Sequence, residues 1–572
     1  MSVNTFRSQN ALRFLNPLLM LVAAFNVALT LYCCTKFYAY LPTSDTWAYV
    51  DFLAQAAHGH LDIAQLFERH NGLHVIALPK LVYFFDMWLV QGSGALTVVV
   101  SLLAMTATTS MFVGVIVASS LLDKAEKIFL SLLCTTVLMS ACQVESLLNP
   151  ANLQWSLLVF SATLTAWFAS CYENAKPLSG KNACHLAGVI AGVVLTGLTS
   201  ASALLIIIPL ALLFVPRPWL LRGAMILAGL VLLSMLITGI FFPEQFSLGL
   251  GLLKNWIAFT VDFLVPPVER LHSFVASLLA AIFVFLALNK LYRVMPFPLS
   301  NENRFFVLLL YFSLVTIVAT GIVRSYSDDA FTFRFVNIGL LFAAALFPLL
   351  WLHAKNKLYL FAISVYVALL AYVNETEVSA FAYGRNHVRL TQVAYALNVD
   401  DPFVVATMPG SSFAQADFDA VQANKHFLQE AQAGIYGSEE YRHVGMSIDS
   451  LKDLASVACT TRLIKVRRLL PDQAAWRLWG ESKTGVGGEV SRVYFVDEKN
   501  IIRGYAIPVV PEKNTLDNVF KPSQWVGFVN LDASAEQDAL TLYGYNNHVL
   551  CQGDRIALPA YTASVKVNRY ER

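Results

Sequence analysis

The sequence predicts an α-helical polytopic membrane protein with a water-soluble α+β domain at its C-terminal end. Three observations predict it. The chain is 57% hydrophobic and 14% charged over 572 residues, with a mean hydropathy of +0.58, too apolar for a soluble globular protein. Its apolar runs exceed the ~18 residues that mark a spanning helix. Beyond Val373 the character changes to ordinary charge density, with alternating patterns and no span. A formal net charge of +2 argues against a strongly anionic partner, and no basic cluster is interleaved with aromatics, so nucleic acid is set aside.

The first apolar run, Leu15 to Leu41, is too long for a signal-peptide core, and no small-x-small cleavage site follows it. It is expected to stay in place as a first helix. Arg7 and Arg13 precede it without an acid, which puts the N-terminus on the cytoplasmic side. Further spans are expected near 93–120, 128–143, 154–172, 185–199, 202–216, 222–242, 271–289, 305–323, 335–352 and 358–374, about 11 with the first. Connections carrying Lys124, Lys127, Lys176, Lys181, Arg217, Arg222, Lys290, Arg293, Arg304, Lys355 and Lys357 are the expected cytoplasmic loops. The alternate connections hold most of the acids, so any chemistry faces outward. Residues 75–90 are interrupted by Pro79, Lys80 and Asp86 and read as an amphipathic helix lying in the outer interface. Residues 185–216 read as two short helices bent at Thr199 to Ser202, because the later basic loops favour a hairpin over one tilted span.

Three domains follow: a transmembrane domain over 1–374, a helical connector over 375–450 with apolar residues three and four apart, and a β-rich domain over 451–572. The last contains RVYFVD, IIRGYAIPVV, QWVGFVNL and ALTLYGY, β-branched and aromatic runs separated by turn residues, which suggest a small β-sandwich. By parity the connector and the β-rich domain lie outside the cytoplasm. Cys459 and Cys551, the two cysteines of this region, bracket its β-rich part and could form a disulfide in an oxidising compartment. The other six cysteines fall in or beside spans, as small packing residues.

Polar residues concentrate in the first outer loop, 44–80. Asp45 could act as a general base or bind a cation, although S-D-T is also N-cap chemistry. Glu68, His70, Asn71 and His74 follow within seven residues. The spacing of His70 and His74 could place two imidazoles on one helical face for a metal, but Gly72 between them argues for a turn, and there is no HExxH. The stretch ESLLNPANLQWSL supplies Glu145, Asn149, Asn152 and Gln154; GIVRSYSDDAFTFRF supplies Arg324, Asp328, Asp329 and Arg334. The two arginines either snorkel to the interface or, with Lys80, hold the phosphate of a lipid-linked substrate.

These features, in this order, resemble the GT-C superfamily of integral membrane glycosyltransferases, in which a first outer loop bears an essential acid and many spans form a groove for a polyprenyl-phosphate carrier. FERHNGLHVIALPKLVYFFD is similar to the HNEHR-then-P-R-L-L segment of a group of bacterial multispan GT-C-like proteins. ESLLNPANLQWSLL stands where that group has E-N-x-x-x-G-x-Q, and DDAFTFRFVNIGLLF where it has S-S-R-Y before a helix. The helical stretch around NHVRLTQVAYALNVDDP and the β-rich tail also resemble that group's extracytoplasmic appendage. The glutamate and arginine of HNEHR are absent here, while His70, Asn71, Pro79 and the basic position at Lys80 match. Phe335 follows Arg334 where the pattern has Tyr.

The resemblance implies inverting transfer of a sugar from a polyprenyl-phosphate donor, at the outer face of a bacterial inner membrane, to a cell-envelope glycan such as O-antigen, or to a lipid or protein acceptor. Asp45 would be the general base, with Glu68 as the second candidate. Lys80, Arg324 and Arg334 would stabilise the leaving phosphate. His70, Asn71, His74, Asn149 and Gln154 would orient the substrate. A divalent cation, Mg or Mn, is compatible with this chemistry, but no acidic pair is placed to claim one. Two rivals come from other classes. A transporter or flippase for a lipid-linked glycan should show polar groups at mid-membrane or repeat symmetry, and neither is evident. A noncatalytic membrane anchor displaying a glycan-binding domain would tolerate loss of Asp45.

Overall fold

The computed structural model describes residues 3–70, 74–172, 180–199, 206–207, 210, 301–324, 336–353, 357–399, 425–451, 455–456, 459–469, 474–484, 490–510, 523–531, 539–546 and 549–559. The chain forms two compact units. One comprises Met1–Lys36, Ile63–Val82 and Thr97–Glu377; the other comprises Phe37–Asp62, Tyr83–Leu96 and Val378–Arg572.

The first unit is helical. It contains α1 (Val3–Lys36), α3 (Ile63–Leu66), a two-stranded hairpin of β1 (Arg69–His70) and β2 (His74–Val75), the first part of α4 (Ala77–Val90), then α5 (Ala95–Ala118), α6 (Lys124–Leu138), α7 (Val144–Leu148), α8 (Leu153–Cys171), α9 (Lys181–Thr199), α10 (Asn301–Arg324), α11 (Val336–His353) and the first half of α12 (Lys357–Ala396). The helix α2 (Val50–Ala57) belongs to the second unit. Among the described residues four helical stretches are long and apolar enough to cross a membrane: Leu12–Lys36, Ala95–Ala118, Lys124–Leu148 and Lys181–Thr199. Val336–Leu352 and Tyr359–Asn374 are shorter apolar helices. The expected eleven spans therefore reduce to four clear ones here. The runs at 222–242 and 271–289, and most of 202–216, lie outside the described residues.

Hydrogen bonds fix the helix directions. Asn16 Nδ2 donates to Ala125 O (3.2 Å), Asn26 Nδ2 to Thr136 O (3.1 Å) and Thr30 Oγ1 to Met139 O (3.1 Å), so α1 and α6 run parallel over about 21 Å. Parallel packing requires one net traverse between them. The 24-residue α5 stands between them in sequence, and the 14-residue α4 is not among the stretches long and apolar enough to cross a membrane. A capping box starts α6: Glu126 N donates to Asp123 Oδ1 (2.9 Å) and Asp123 N to Glu126 Oε2 (3.0 Å). α10 begins beside the end of α8, with Arg304 Nη1 donating to Tyr172 O (3.1 Å) and Trp167 edge-on to Phe305, so these two helices are antiparallel. α8 and α9 pack closely through small residues. A Cβ on Gly192 would lie 2.3 Å from Thr165 Oγ1, and one on Gly188 would enter the Phe168 ring. The spacing is that of a G-x-x-x-G helix interface.

The second unit is built on a sheet. Its strands are β3 (Ala455–Ser456), β4 (Cys459–Arg468), β5 (Ala475–Thr484), β6 (Arg492–Val496), β7 (Ile502–Val509), β8 (Gln524–Asn530), β9 (Ala539–Asn546) and β10 (Val549–Ala557), in the order β3-β10-β9-β6-β7-β8-β5-β4. Every pairing is antiparallel except the two-residue β3–β10. The expected β-sandwich is corrected: this is one sheet curling toward a barrel. β10 comes up against β4, where Leu463 N donates to Asp554 Oδ2 and a Cβ on Gly553 would lie 2.5 Å from Thr461 O. The period-2 alternation divides the strands between two faces. One face buries Trp476, Leu478, Val493, Phe495, Trp525 and Leu542 in a single core. The other buries Tyr494, Tyr505, Phe528 and Tyr545 with Val393, Ala394 and Leu397 of α12. Curling lets one sheet enclose an apolar core on its concave side, so no second sheet is needed.

α12 runs as one 40-residue helix and does not end at 374. Its second half holds the start of the first loop. Arg385 Nε donates to Phe37 O (2.9 Å), Gln392 Nε2 donates to Pro42 O (3.0 Å) and to Tyr40 O, and Trp47 packs edge-on to Tyr395. Gly434 lies at φ +61, where a Cβ would stand 2.0 Å from Leu41 O, so only glycine fits this close approach. Cys551 is disulfide-bonded, as the pairing expected with Cys459 requires, and Cys33, Cys34, Cys134, Cys142, Cys171 and Cys184 are free thiols.

Candidate functional site

The expected site residues are divided between the two units. Asp45 lies in a 3-10 turn, Ser44–Tyr49, within the sheet-bearing unit, whereas Glu68 belongs to the helical unit. Glu68 is exposed. His70 and His74 stand directly opposite each other across the β1–β2 hairpin. His70 and His74 lie on paired strands and not on a helix, so the helical face that a His-x-x-x-His metal site would use does not form. Asn71 and Arg334 lie outside the described residues, and Arg324 is the last residue of α10.

Lys80 is almost fully buried. Its ammonium donates to the carbonyls of Gln65 (2.6 Å) and Glu68 (3.1 Å), capping the end of the short helix α3. Burial lowers its pKa, and the nearby Glu68 carboxylate works against that shift. The expected phosphate ligand is thus committed to main-chain carbonyls. Asp86, which interrupts the apolar pattern, receives the N–H groups of Gly94 (2.9 Å) and Leu96 (2.7 Å) at the start of α5.

The stretch that carries Asn149 and Gln154 is the most distinctive part of the helical unit. Between α6 and α8 the helix breaks into a 3-10 turn at Ala141–Gln143, the five-residue α7 and a second 3-10 turn at Pro150–Asn152. Pro150 ends α7, and the Asn149 side chain accepts from Ala151 N (3.1 Å) to start the next turn. Ser140, Gln143, Ser146, Asn152, Gln154 and Ser156 are all buried. Broken backbone inside an apolar helical unit is tolerated where protein encloses it or where it lines a cavity.

A hydrogen-bonded amide network anchors this segment. Asn374 Oδ1 accepts from Ser140 Oγ (2.6 Å) and Cys142 N (2.8 Å), and Asn374 Nδ2 donates to Asn26 Oδ1 (3.0 Å). Asn26 and Asn374 were not among the residues expected to matter. Their signal was a side-chain amide in or at the end of an apolar run: Asn26 lies within Leu12–Lys36, and Asn374 ends Tyr359–Asn374.

Four amide atoms, three on this segment and one on Asn337 of α11, remain unpaired. Gln143 donates to Leu138 O (2.6 Å), Gln154 to Ala151 O (3.2 Å) and Asn337 to Ser156 Oγ (3.3 Å). Yet Gln143 Oε1, Gln154 Oε1, Asn337 Oδ1 and Asn152 Nδ2 are buried with no hydrogen-bond partner among the described residues. Each such group costs about 1–3 kcal/mol. Four together approach the whole stability of a typical domain, roughly 5–15 kcal/mol. They comprise three acceptors and one donor.

No group of three or more His, Cys, Asp or Glu that could hold a metal lies together among the described residues. Searches of protein-family models, curated proteins and solved structures find no match to this chain.

Proposed function

We propose that this protein is an integral membrane glycosyltransferase that moves a sugar from a polyprenyl-phosphate donor to a cell-envelope glycan, lipid or protein acceptor on the extracytoplasmic face. The observation that carries the reading is the set of unpaired amide atoms on Gln143, Asn152, Gln154 and Asn337. These neutral acceptors and donors suit sugar hydroxyls, and a mere anchor has no use for them. The disulfide at Cys551 supports an oxidising compartment for the sheet-bearing unit.

In this reading Asp45, or Glu68 in its place, removes the proton from an acceptor hydroxyl. That oxygen attacks the anomeric carbon, the bond to the phosphate oxygen breaks, and its electrons leave with the lipid phosphate, with inversion. Arg324 and Arg334 meet the developing phosphate charge, while Lys80 holds the loop that contains Glu68. Asn149 and Gln154, with His70, Asn71 and His74, orient the sugar.

The helix break and the Asn26–Asn374 network favour a second reading. Discontinuous helices with polar groups inside the bundle are also the marks of a transporter, here one for a lipid-linked glycan. One experiment separates the two. The purified chain in proteoliposomes is given polyprenyl-phosphate sugars and an acceptor glycan. Release of lipid phosphate that is lost in Asp45→Ala supports the transferase. Movement of intact donor across the bilayer without release would replace it with the transporter.

A further inference from the structure

The sheet-bearing unit holds a second polar cluster, unrelated to the residues assigned above. It lies on the face of β6, β7 and β9 that packs against α12. Tyr494 of β6 is flanked by Tyr505 on β7 and Tyr543 on β9, and Arg492 pairs with Tyr545 one step along the strands. The short helix α13 (Glu439–Arg442) brings two carboxylates to this row. Arg492 Nε donates to Glu440 Oε1 (2.9 Å), its Nη1 lies 3.2 Å from Glu439 Oε2, and Tyr545 OH donates to Glu439 Oε1 (2.9 Å).

The network is incomplete at its centre. Tyr505 is 1% exposed, and its hydroxyl has no hydrogen-bond partner among the described residues; neither does Glu440 Oε2. Burial pushes the Tyr505 hydroxyl well above the ordinary tyrosine range, and Glu440 and Arg492 are the charged side chains that act on it. Arg389 of α12 interacts electrostatically with the same Glu440, Tyr40 and Tyr505, and burial lowers its pKa. It stands one helical turn before Val393, which packs in the same core as Tyr505. Glu439 is 42% exposed on the outer side of the cluster, so the row of side chains runs from solvent to a buried hydroxyl.

Three properties narrow the ligand. Two arginines balance two glutamates, so the occupant carries no net charge. An unpaired carboxylate oxygen needs a donor, a phenol accepts either role, and a guanidinium needs an acceptor; a hydroxyl that donates and accepts at once fits all three. The tyrosine row offers an apolar wall with polar tips.

We propose that Tyr505, Glu440 and Arg389 form a binding site for a neutral sugar residue, one hydroxyl of which donates to Glu440 Oε2 while others meet Tyr505 and Arg389. This site stands whether or not the chain is a transferase, because it concerns recognition alone.

The test is saturation-transfer-difference NMR on the full chain in nanodiscs, with glucose, galactose, mannose, rhamnose and N-acetylglucosamine as probes. At least one probe is expected to bind, and Tyr505→Phe is expected to weaken it on the order of tenfold. Glu440→Gln should weaken it further; if that variant unfolds because Arg492 loses its partner, the near-isosteric Tyr505→Phe decides alone. Failure of all five sugars to bind the wild-type chain overturns the proposal. So does unchanged binding in Tyr505→Phe together with a raised thermal midpoint, the result expected when a buried hydroxyl has no partner to lose. No turnover is read, so a negative outcome here leaves the transferase reading to its own experiment.

Discussion

The broken segment 139–156 of the helical unit buries polar side chains that are all neutral, whereas the α13 face of the sheet holds a partly buried ion pair of Arg492 with Glu440 and with the more exposed Glu439. The difference follows from what surrounds each. In the helical unit the neighbours are other apolar helices, and an ionised group there costs far more to desolvate than an amide. At the sheet, Glu439 reaches solvent and the charges arrive already paired, so ionisation survives. Neutral polarity is therefore held by hydrogen bonds that span three helices, charged polarity by ion pairs within one local cluster. Breaking each should leave a different trace.

The largest effect is expected from Asn374→Leu. It removes the acceptor for Ser140 Oγ and Cys142 N and the donor to Asn26 Oδ1, leaving buried groups unpaired at roughly 2–4 kcal/mol. Thermal unfolding of the detergent-solubilised chain should show the loss. Combined with Asn26→Leu, the double variant should lose less than the sum, because both sit in one network. Strict additivity would mean that the two amides act separately.

Glu440→Gln comes next, at about 1–3 kcal/mol. The Glu440 and Arg492 side chains are 14% and 13% exposed, so salt screens the pair only weakly. Hydrogen exchange should quicken in β6 and leave α6 to α8 unchanged. Faster exchange in both units would dissolve the contrast between them.

How much of this was legible in the sequence depends on the kind of signal. Apolar runs placed α1, α5, α6, α8, α9, α10, α11 and the first half of α12, and the β-branched runs placed β6 to β9. Strands β4 and β5 escaped, since CTTRLIKVRR and AWRLWGESKT interrupt the apolar pattern with charged residues, among them the buried Arg477. The barrel-like closure escaped too: strand count does not say whether one sheet curls or two sheets stack. In the first loop, Gly72 argued against one helix through His70 and His74, which lie on paired strands, but the capping roles of Lys80 and Asp86 needed coordinates, because their partners are main-chain groups with no sequence signature. Asn149 and Gln154 were found by motif. Asn152 stands among the polar groups of the same stretch, whereas Gln143 and Asn337 read as ordinary amides that only burial distinguishes.

A milder contrast is expected with pH. Burial lowers the His443 pKa below the ordinary histidine value, although Glu439 opposes it. Histidine in the unfolded chain then takes up its proton first, so stability is full above about pH 6.5 and falls as pH drops through that value. Glu439 acts in the same direction at lower pH. Its burial alone would raise its pKa, but Arg492 and the Tyr545 hydroxyl more than offset this. Its contribution is present above the usual carboxylate range and is lost as pH falls through the depressed value. Hydrogen exchange compared at pH 7.5 and pH 5, corrected for intrinsic rate, should show β6 and β9 losing protection while 139–156 keeps its own. Equal losses in the two regions would show that acid acts on the helical unit as well.

The smallest effect on stability is expected from Gln154→Leu, and it bears most on function. The substitution deletes one bond, Nε2 to Ala151 O, and also deletes an unpaired buried oxygen. The two changes nearly cancel, to within about 1 kcal/mol, and leucine restores most of the volume. A residue kept only for packing would therefore be replaceable without consequence. If the segment instead binds sugar hydroxyls, Gln154→Leu leaves the melting temperature nearly unchanged yet lowers lipid-phosphate release at least tenfold, the equivalent of about 1.4 kcal/mol. The same variant in the sheet-directed NMR assay should bind its sugar as the wild type does. Loss of both signals would mean that the substitution disturbs more than its own segment, and loss of neither would return 139–156 to a structural role.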